Sequence, residues 1–266
     1  MNKIISVINQ KGGVGKTTTV VNLSTALAQL GKRILVIDLD PQGNATTGLG
    51  RSNNENEKNI YKVIIGQSDL KNCIQKSCVE NLDIIGSNVN LSGLEVETAN
   101  DPNRAFLLKE ILTEKNKDIF NKYENIFIDC PPSLSLLTIM SLVVADELLV
   151  PLQTEFFALE GISQLVKTIE RIKINLNPTL EIRGILLTMF DKRNKLSTQV
   201  DEEARKFFKE KVYKTVIPRN VRLSEAPSHG VPCIIYDRSS LGSKSYIDLA
   251  KEFIKQEREG LDLNGR

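Results

Sequence analysis

The chain has 266 residues, 35 Lys+Arg against 33 Asp+Glu for a formal charge of +2, and is 41% hydrophobic and 26% charged. That length and composition support one large α/β domain or two small ones around a sizeable core, and exclude a disordered chain or a polycation. Aromatic residues make up only 5% and Trp is absent, which excludes a groove stacking single-stranded bases on exposed rings.

In chain order, residues 4–8 read as an apolar strand and 18–30 as a helix. Strands follow at 33–37 and 82–85, a helix at 105–123 and a strand at 125–129. The apolar run 134–145 is one buried helix long and stops at Asp146-Glu147, short of the roughly 20 residues that span a membrane. Next come a strand at 148–152, a helix at 159–175 and a strand at 182–188. A helix at 199–211, a strand at 212–217 and a helix at 246–255 complete the series. Strands apolar throughout and separated by helices predict a single-domain α/β fold, a mostly parallel twisted sheet with helices on both faces. The polar stretch 51–58 reads as a surface loop inside a domain spanning 1–256, with 257–266 as a polar tail. The start has no signal-peptide pattern, and four cysteines (Cys73, Cys78, Cys130, Cys233) are too few to frame this chain. A cytoplasmic protein with reduced thiols is expected.

Residues 10–18 read Gln10-Lys11-Gly12-Gly13-Val14-Gly15-Lys16-Thr17-Thr18, directly between the first strand and the first helix. That is the setting of a phosphate-binding loop. Glycines let backbone N–H groups turn inward around phosphate oxygens, and the helix N-terminus adds a favourable dipole. Lys16 is expected on the β- and γ-phosphates and the Thr17 hydroxyl on Mg²⁺. The strict pattern G-x-x-x-x-G-K-[ST] fails, because Gln10 stands at its first glycine; Lys11 adds a second lysine before the glycine pair.

Two strands run into carboxylates at their carboxyl ends, Asp38 and Asp40 in the first case and Asp129 in the second. In an open α/β sheet that edge holds the ligand. Asp129 suits the carboxylate that holds magnesium through its water shell, Asp40 is placed to hold an attacking water, and Asp38 supports the metal or the loop.

The segments KGGVGKTT, DLDPQGNATTGLG, IDCPPSLSLLTI and VIPRNVRLSEAPSHG together resemble the ParA/Soj-type chromosome-partition ATPases, relatives of MinD and the nitrogenase iron protein, over about residues 3–255. The resemblance implies a P-loop ATPase of the deviant Walker A type that uses ATP and Mg²⁺ and works as an ATP-dependent homodimer. It sends Lys11 across the dimer interface to the partner's phosphates, where a full charge offsets charge developing in the transition state. Lys11, Lys16 and Asp40 would carry catalysis. Lys11, Gly12, Gly13, Val14, Gly15, Lys16, Thr17 and Thr18 would hold the phosphates. Thr188-Met189 and Pro218-Arg219-Asn220 match the family's base-contacting segments, and Thr17, Asp38 and Asp129 would serve the metal. Arg193 and Arg222 match positions that bind double-stranded DNA without sequence preference. The family further implies a ParB-type centromere-binding partner that stimulates slow hydrolysis, and association with the nucleoid.

Charge distribution agrees with a DNA surface. Residues 187–246 hold twelve Lys/Arg against seven Asp/Glu, so this stretch alone exceeds the +2 of the whole chain. The alternative is an ordinary solvated helix face around 205–211. No DNA-reading extension is expected ahead of the first strand. A MinD-like scaffold acting on a protein or membrane surface would need an amphipathic C-terminal helix. Ile247, Ala250 and Ile254 instead read as core-facing, so no membrane partner is expected. An iron–sulfur reductase would need a cysteine pair bridging two subunits, whereas Cys130 belongs to the IDCPPS segment and Cys73 and Cys78 read as part of a helical region. His229 and Cys233 lack a second pair at zinc spacing. A metabolic enzyme sharing the loop would need substrate groups at the sheet edge, and none is identifiable.

Overall fold

The computed structural model describes residues 2–54, 58–156 and 158–264. Among them, strands β1 (Lys3–Val7), β2 (Ile34–Asp38), β3 (Ile74–Lys76), β4 (Leu82–Ile85), β5 (Asn125–Asp129), β6 (Glu147–Gln153) and β7 (Glu181–Thr188) form one sheet. Their order is β3-β4-β2-β5-β1-β6-β7. All neighbours are parallel except β3, which pairs antiparallel with β4. The main covering helices are α1 (Lys16–Gln29), α2 (Leu136–Val144), α3 (Ala158–Asn175), α4 (Lys195–Phe208) and α5 (Leu241–Asn264); shorter helices are given by residue.

Alternation along the strands divides the core in two. Ile5, Val7, Ile34, Val36 and Phe127 pack with α1 and α5 on one face. Ile4, Ile8, Leu35, Ile37, Ile126 and Ile128 pack with α2, α3 and α4 on the other. Burial on both faces is why the strands read as unbroken apolar runs. Helix α1 is itself sandwiched between the sheet and α5, to which the Thr19 hydroxyl is tied through the Tyr246 hydroxyl at 3.0 Å. Ala250 is fully buried, and Ile247 and Ile254 pack against the same cluster, facing the core as expected.

Several elements differ from the sequence reading. The helix expected over 105–123 is broken into a 3₁₀ turn (Arg104–Phe106), a short α-turn (Leu107–Lys109), a π-helical stretch (Glu110–Lys115) and a final turn (Lys117–Phe120). Asn116 closes the π-helical stretch, its side chain donating to the Ile111 carbonyl at 3.0 Å. Residues 212–217 are not a sheet strand but run beside β7, through an isolated Ile185–Val212 bridge and the Tyr213 and Ile217 amides, which donate to the Ile185 and Leu187 carbonyls at 3.0 and 2.9 Å. Between those two, the Thr215 amide, which a continuous ladder would need, donates instead to the Glu252 carboxylate of α5 at 2.9 Å, beside the Lys214 amide at 2.7 Å.

The region of Cys73 and Cys78 is only partly helical. Cys73 ends the turn Leu70–Cys73, and Cys78 follows β3. Helix α4 begins earlier than expected because Asn194 caps it, accepting from the Leu196 amide at 3.0 Å. The stretch read as a polar tail begins inside α5, which runs to Asn264, and Glu257 accepts a hydrogen bond from the Asn125 side-chain Nδ2 at 2.7 Å. Of the loop read at 51–58, Glu55, Asn56 and Glu57 lie outside the described residues, as do Gly265 and Arg266.

Candidate nucleotide site

The sheet order brings the carboxyl ends of β1, β2 and β5 side by side. Asp129 is the register partner of Val7 on β1 and of Asp38 on β2. The loop after β1 therefore begins beside one carboxylate, and that carboxylate neighbours another. Gly13 (φ 74°) and Gly15 (φ 91°) adopt left-handed backbone that a side chain would strain. Gly15 stands at the N-cap of α1 without any side-chain cap, so the first amides of α1 stay available to an anion.

Two braces fix the loop. Asn9 donates to the Pro151 carbonyl at 2.8 Å and accepts from the Lys11 amide at 3.0 Å. Thr188, at the end of β7, donates to the Val14 carbonyl at 2.8 Å. Neither brace was read from the sequence as holding the loop. Asn9 precedes the glycines and matches no phosphate-loop pattern, and Thr188 is remote in sequence.

Lys16 is buried, and its ammonium donates to the Lys11 carbonyl at 3.0 Å. Burial lowers its pKa, opposed chiefly by the Asp129 charge. Lys11 is exposed and ion-paired with Glu155. Gln10 at the displaced first-glycine position donates to the Thr168 hydroxyl of α3 at 3.4 Å.

The carboxylates have separate tasks. Asp38 is fully buried, and its Oδ2 accepts from the Thr46 amide (2.8 Å) and hydroxyl (2.7 Å), while Oδ1 accepts from the Asp40 amide (3.1 Å). It is expected at the metal or behind the phosphate loop; both its oxygens are engaged by the segment after β2, which carries Asp40 and Thr46. Burial raises its pKa against those three donors. Asp129 is also fully buried, and neither of its oxygens receives a hydrogen bond. Burial, then the Asp38 charge, drive its pKa well above the usual carboxylate range; the nearby Thr17 hydroxyl pulls the other way. An orphaned buried carboxylate beside a threonine hydroxyl fits a magnesium ion held by Thr17 and, through water, Asp129.

Asp40 is 6% exposed, with Oδ1 accepting from the Gln42 amide at 3.0 Å. It lines a cavity of about 230 Å³ with Gly13, Gly15, Lys16, Thr17, Thr18 and Met189. Met189, expected near the base, borders the same cavity as the phosphate loop, at φ 51°, a conformation uncommon for a side-chain-bearing residue. Pro218 bridges to Phe190 next to it, and Arg219 and Asn220 follow. Asn220 accepts from the Arg222 amide at 3.1 Å, capping the short helix Val221–Glu225.

Arg193 and Arg222 leave the same sheet edge, one after Phe190 and the other after Pro218. Their side chains are 90% and 50% exposed. Not all the basic residues around them are free for a ligand. Arg205 donates to the Tyr213 carbonyl and pairs with Asp201, Lys211 donates to the Ile182 carbonyl, and Arg238 donates to Gln29. The cysteines are unpaired. His229 stacks on Tyr236 at 4.8 Å while Cys233 is buried against Ser240 and Ser243 hydroxyls, so the two form no common site. No helix among the described residues is long and apolar enough to cross a membrane.

A site of this construction on this sheet belongs to the P-loop class of nucleotide-binding proteins. A family model described as an AAA domain matches residues 2–182. The sporulation initiation inhibitor protein Soj of Bacillus subtilis is 51% identical over 252 residues, 95% of this chain and 98% of its own length. The chromosome partitioning protein ParA of Caulobacter vibrioides is 48% identical over 257 residues, 97% of this chain and 96% of its own. Among solved structures, cobyrinic acid a,c-diamide synthase from Mycobacterium smegmatis, with bound ATP analog and magnesium, matches with a TM-score of 0.85 at 31% identity, covering 98% of this chain and 97% of that one. The chain belongs to the Soj/ParA family of chromosome-partitioning ATPases.

Proposed function

We propose that this protein is an ATP-driven switch for partitioning chromosomal or plasmid DNA. ATP binding brings two copies face to face, the dimer binds duplex DNA without sequence preference, and hydrolysis, slow until a ParB-type partner stimulates it, releases the DNA. It acts in the cytoplasm on the nucleoid. The observation that carries this reading is the convergence of Lys16, Thr17, Asp40 and the unpartnered Asp129 on uncapped helix amides, in a chain of this family.

The residues divide the chemistry. Loop amides and Lys16 neutralise the β- and γ-phosphates, with Lys16 strengthened by its dry surroundings. Thr17 and Asp129 hold magnesium, which when bound draws charge off the phosphate oxygens. Asp40 orients the attacking water and receives its proton. Lys11 must leave Glu155 to reach the phosphates of a second copy, so completing one site requires the other subunit. Arg193 and Arg222 contact the DNA backbone, and pairing two copies doubles that surface.

The test is binding to random-sequence duplex DNA at low salt with Mg-ATP, Mg-ADP or no nucleotide. Tight binding with ATP alone, weakening steeply with salt, is expected. An ATP-dependent dimer that ignores DNA in every state would overturn the DNA half of the proposal and move the output to a protein surface.

A further inference from the structure

We infer that Asp191, Glu225 and Asp237 set the strength of DNA binding, by holding Arg193 and Arg222 in ion pairs that a backbone phosphate must displace. This rests on the DNA-binding reading above and names what tunes that surface.

Each arginine is already occupied. Arg193 makes a two-pronged pair with Asp191, Nε to Oδ1 and Nη2 to Oδ2, both at 3.1 Å, and its own amide donates to the same Oδ1 at 2.9 Å. Arg222 is held from two directions. Its Nη1 lies 2.8 Å from Glu225 Oε2 on the same short helix, and its Nε lies 3.4 Å from Asp237 Oδ2. The guanidinium also stands 6.0 Å over the Tyr236 ring. These are exposed ion pairs, which add little to the stability of a fold; the backbone amides that Asp191 and Asp237 also accept account for where those carboxylates stand, but not for their pairing with the arginines.

The geometry that binds a carboxylate with two parallel N–H donors is also the geometry that binds a phosphate. A DNA phosphate can therefore take the carboxylate's place without moving the arginine. The exchange gains less than binding to a free arginine would, because a displaced carboxylate remains beside the polyanion and fewer counterions are released. Each protomer is left with a weak grip, and useful affinity then depends on two protomers acting together. The carboxylates would thus sharpen the dependence of DNA binding on the dimer.

Asp237→Asn is a suitable probe. Asp237 Oδ1 accepts from the Ser239 and Ser240 amides at 3.0 and 3.2 Å, and the asparagine carbonyl keeps that turn while the side facing Arg222 loses its charge. Asp191→Asn likewise keeps an acceptor for the Arg193 amide. Binding of a fluorescent random-sequence duplex would be followed by anisotropy with Mg-ATP over a salt series. Each variant should tighten binding about three- to tenfold and steepen the salt slope by about one. In an Arg222→Gln background, measured at salt low enough to retain binding, the gain from Asp237→Asn should vanish.

Unchanged affinity in both Asn variants overturns the inference. So does a gain of equal size without Arg222, which would mean only that a negative charge had been removed near DNA. If the wild-type protein dimerises with ATP but binds no duplex in any state, the DNA reading itself falls and this inference falls with it. Glu225→Gln, acting on the same guanidinium, replaces Asp237→Asn if melting curves show the latter to be unfolded, and must give the same pattern.

Discussion

A carboxylate that is fully buried, receives no hydrogen bond and neighbours a second buried carboxylate burdens the nucleotide-free fold. Asp129 is that group, and its pKa is raised by burial and by Asp38. Replacing it with Asn should therefore stabilise the free protein by about 1 kcal/mol or more, a rise in Tm of roughly 2–4 °C. The sign of the pH dependence follows. With the folded pKa above the unfolded one, the wild-type penalty grows as pH rises between the two values and is complete above the folded one. The advantage of Asp129→Asn should be largest at neutral and alkaline pH and shrink toward acid. Magnesium-dependent tightening of ATP binding should be lost in the same variant. Calorimetric melts with and without Mg-ATP would check both, and a variant destabilised at neutral pH would contradict the account.

Thr46 ties the segment after β2 to Asp38 through its amide and hydroxyl, and its hydroxyl also accepts from the Ser87 amide at 3.0 Å. Thr46→Val keeps the shape, leaves that amide unpaired and should cost about 1–3 kcal/mol. By loosening the segment that carries Asp40 it should lower turnover while ATP affinity stays near wild type, which steady-state hydrolysis and equilibrium binding would separate.

At the other end of the sheet, a Cβ on Gly184 would fall 2.4 Å from the Tyr213 ring. Tyr213 is fully buried, its hydroxyl within 3.3 Å of Arg183, which pairs with Glu147. Gly184→Ala should lower stability by about 1–3 kcal/mol in a urea titration. These elements also show how far the sequence could be read. β1, β2, β4 and β5 were legible because burial on both faces leaves unbroken apolar runs, and the phosphate loop because its glycines sit between such a strand and a helix. β3 was not, being three residues of mixed polarity. Residues 212–217 have strand composition and pair with β7 at Tyr213 and Ile217, but the Lys214 and Thr215 amides between them go to Glu252, a partner remote in sequence. In the site, residue types announced Lys16, Thr17 and the three aspartates, whereas the braces Asn9 and Thr188 and the pairing of Lys11 with Glu155 exist only once the chain is folded.

At the scale of the whole molecule, that last pairing bears on how two copies cooperate. Lys11 is drawn toward Glu155 within its own chain, while Lys16 alone of the two loop lysines lies against the cavity that holds Asp40. If Lys11 serves the phosphates of a second copy, each complete site takes Asp40 from one protomer and Lys11 from the other. Lys11→Ala and Asp40→Ala should then each abolish hydrolysis alone while both still bind ATP. Mixed in equal amounts, they should regain activity, because a mixed dimer contains one site with its own Asp40 intact and an intact Lys11 opposite. Random pairing makes half of the dimers mixed, each with one working site of two, so recovery should approach about a quarter of wild-type turnover per protomer. If Lys11 acted on its own nucleotide, both sites of the mixed dimer would be dead and mixing would restore nothing. Phosphate release from the mixture, with sizing to confirm that ATP-bound dimers exchange subunits, separates the two arrangements.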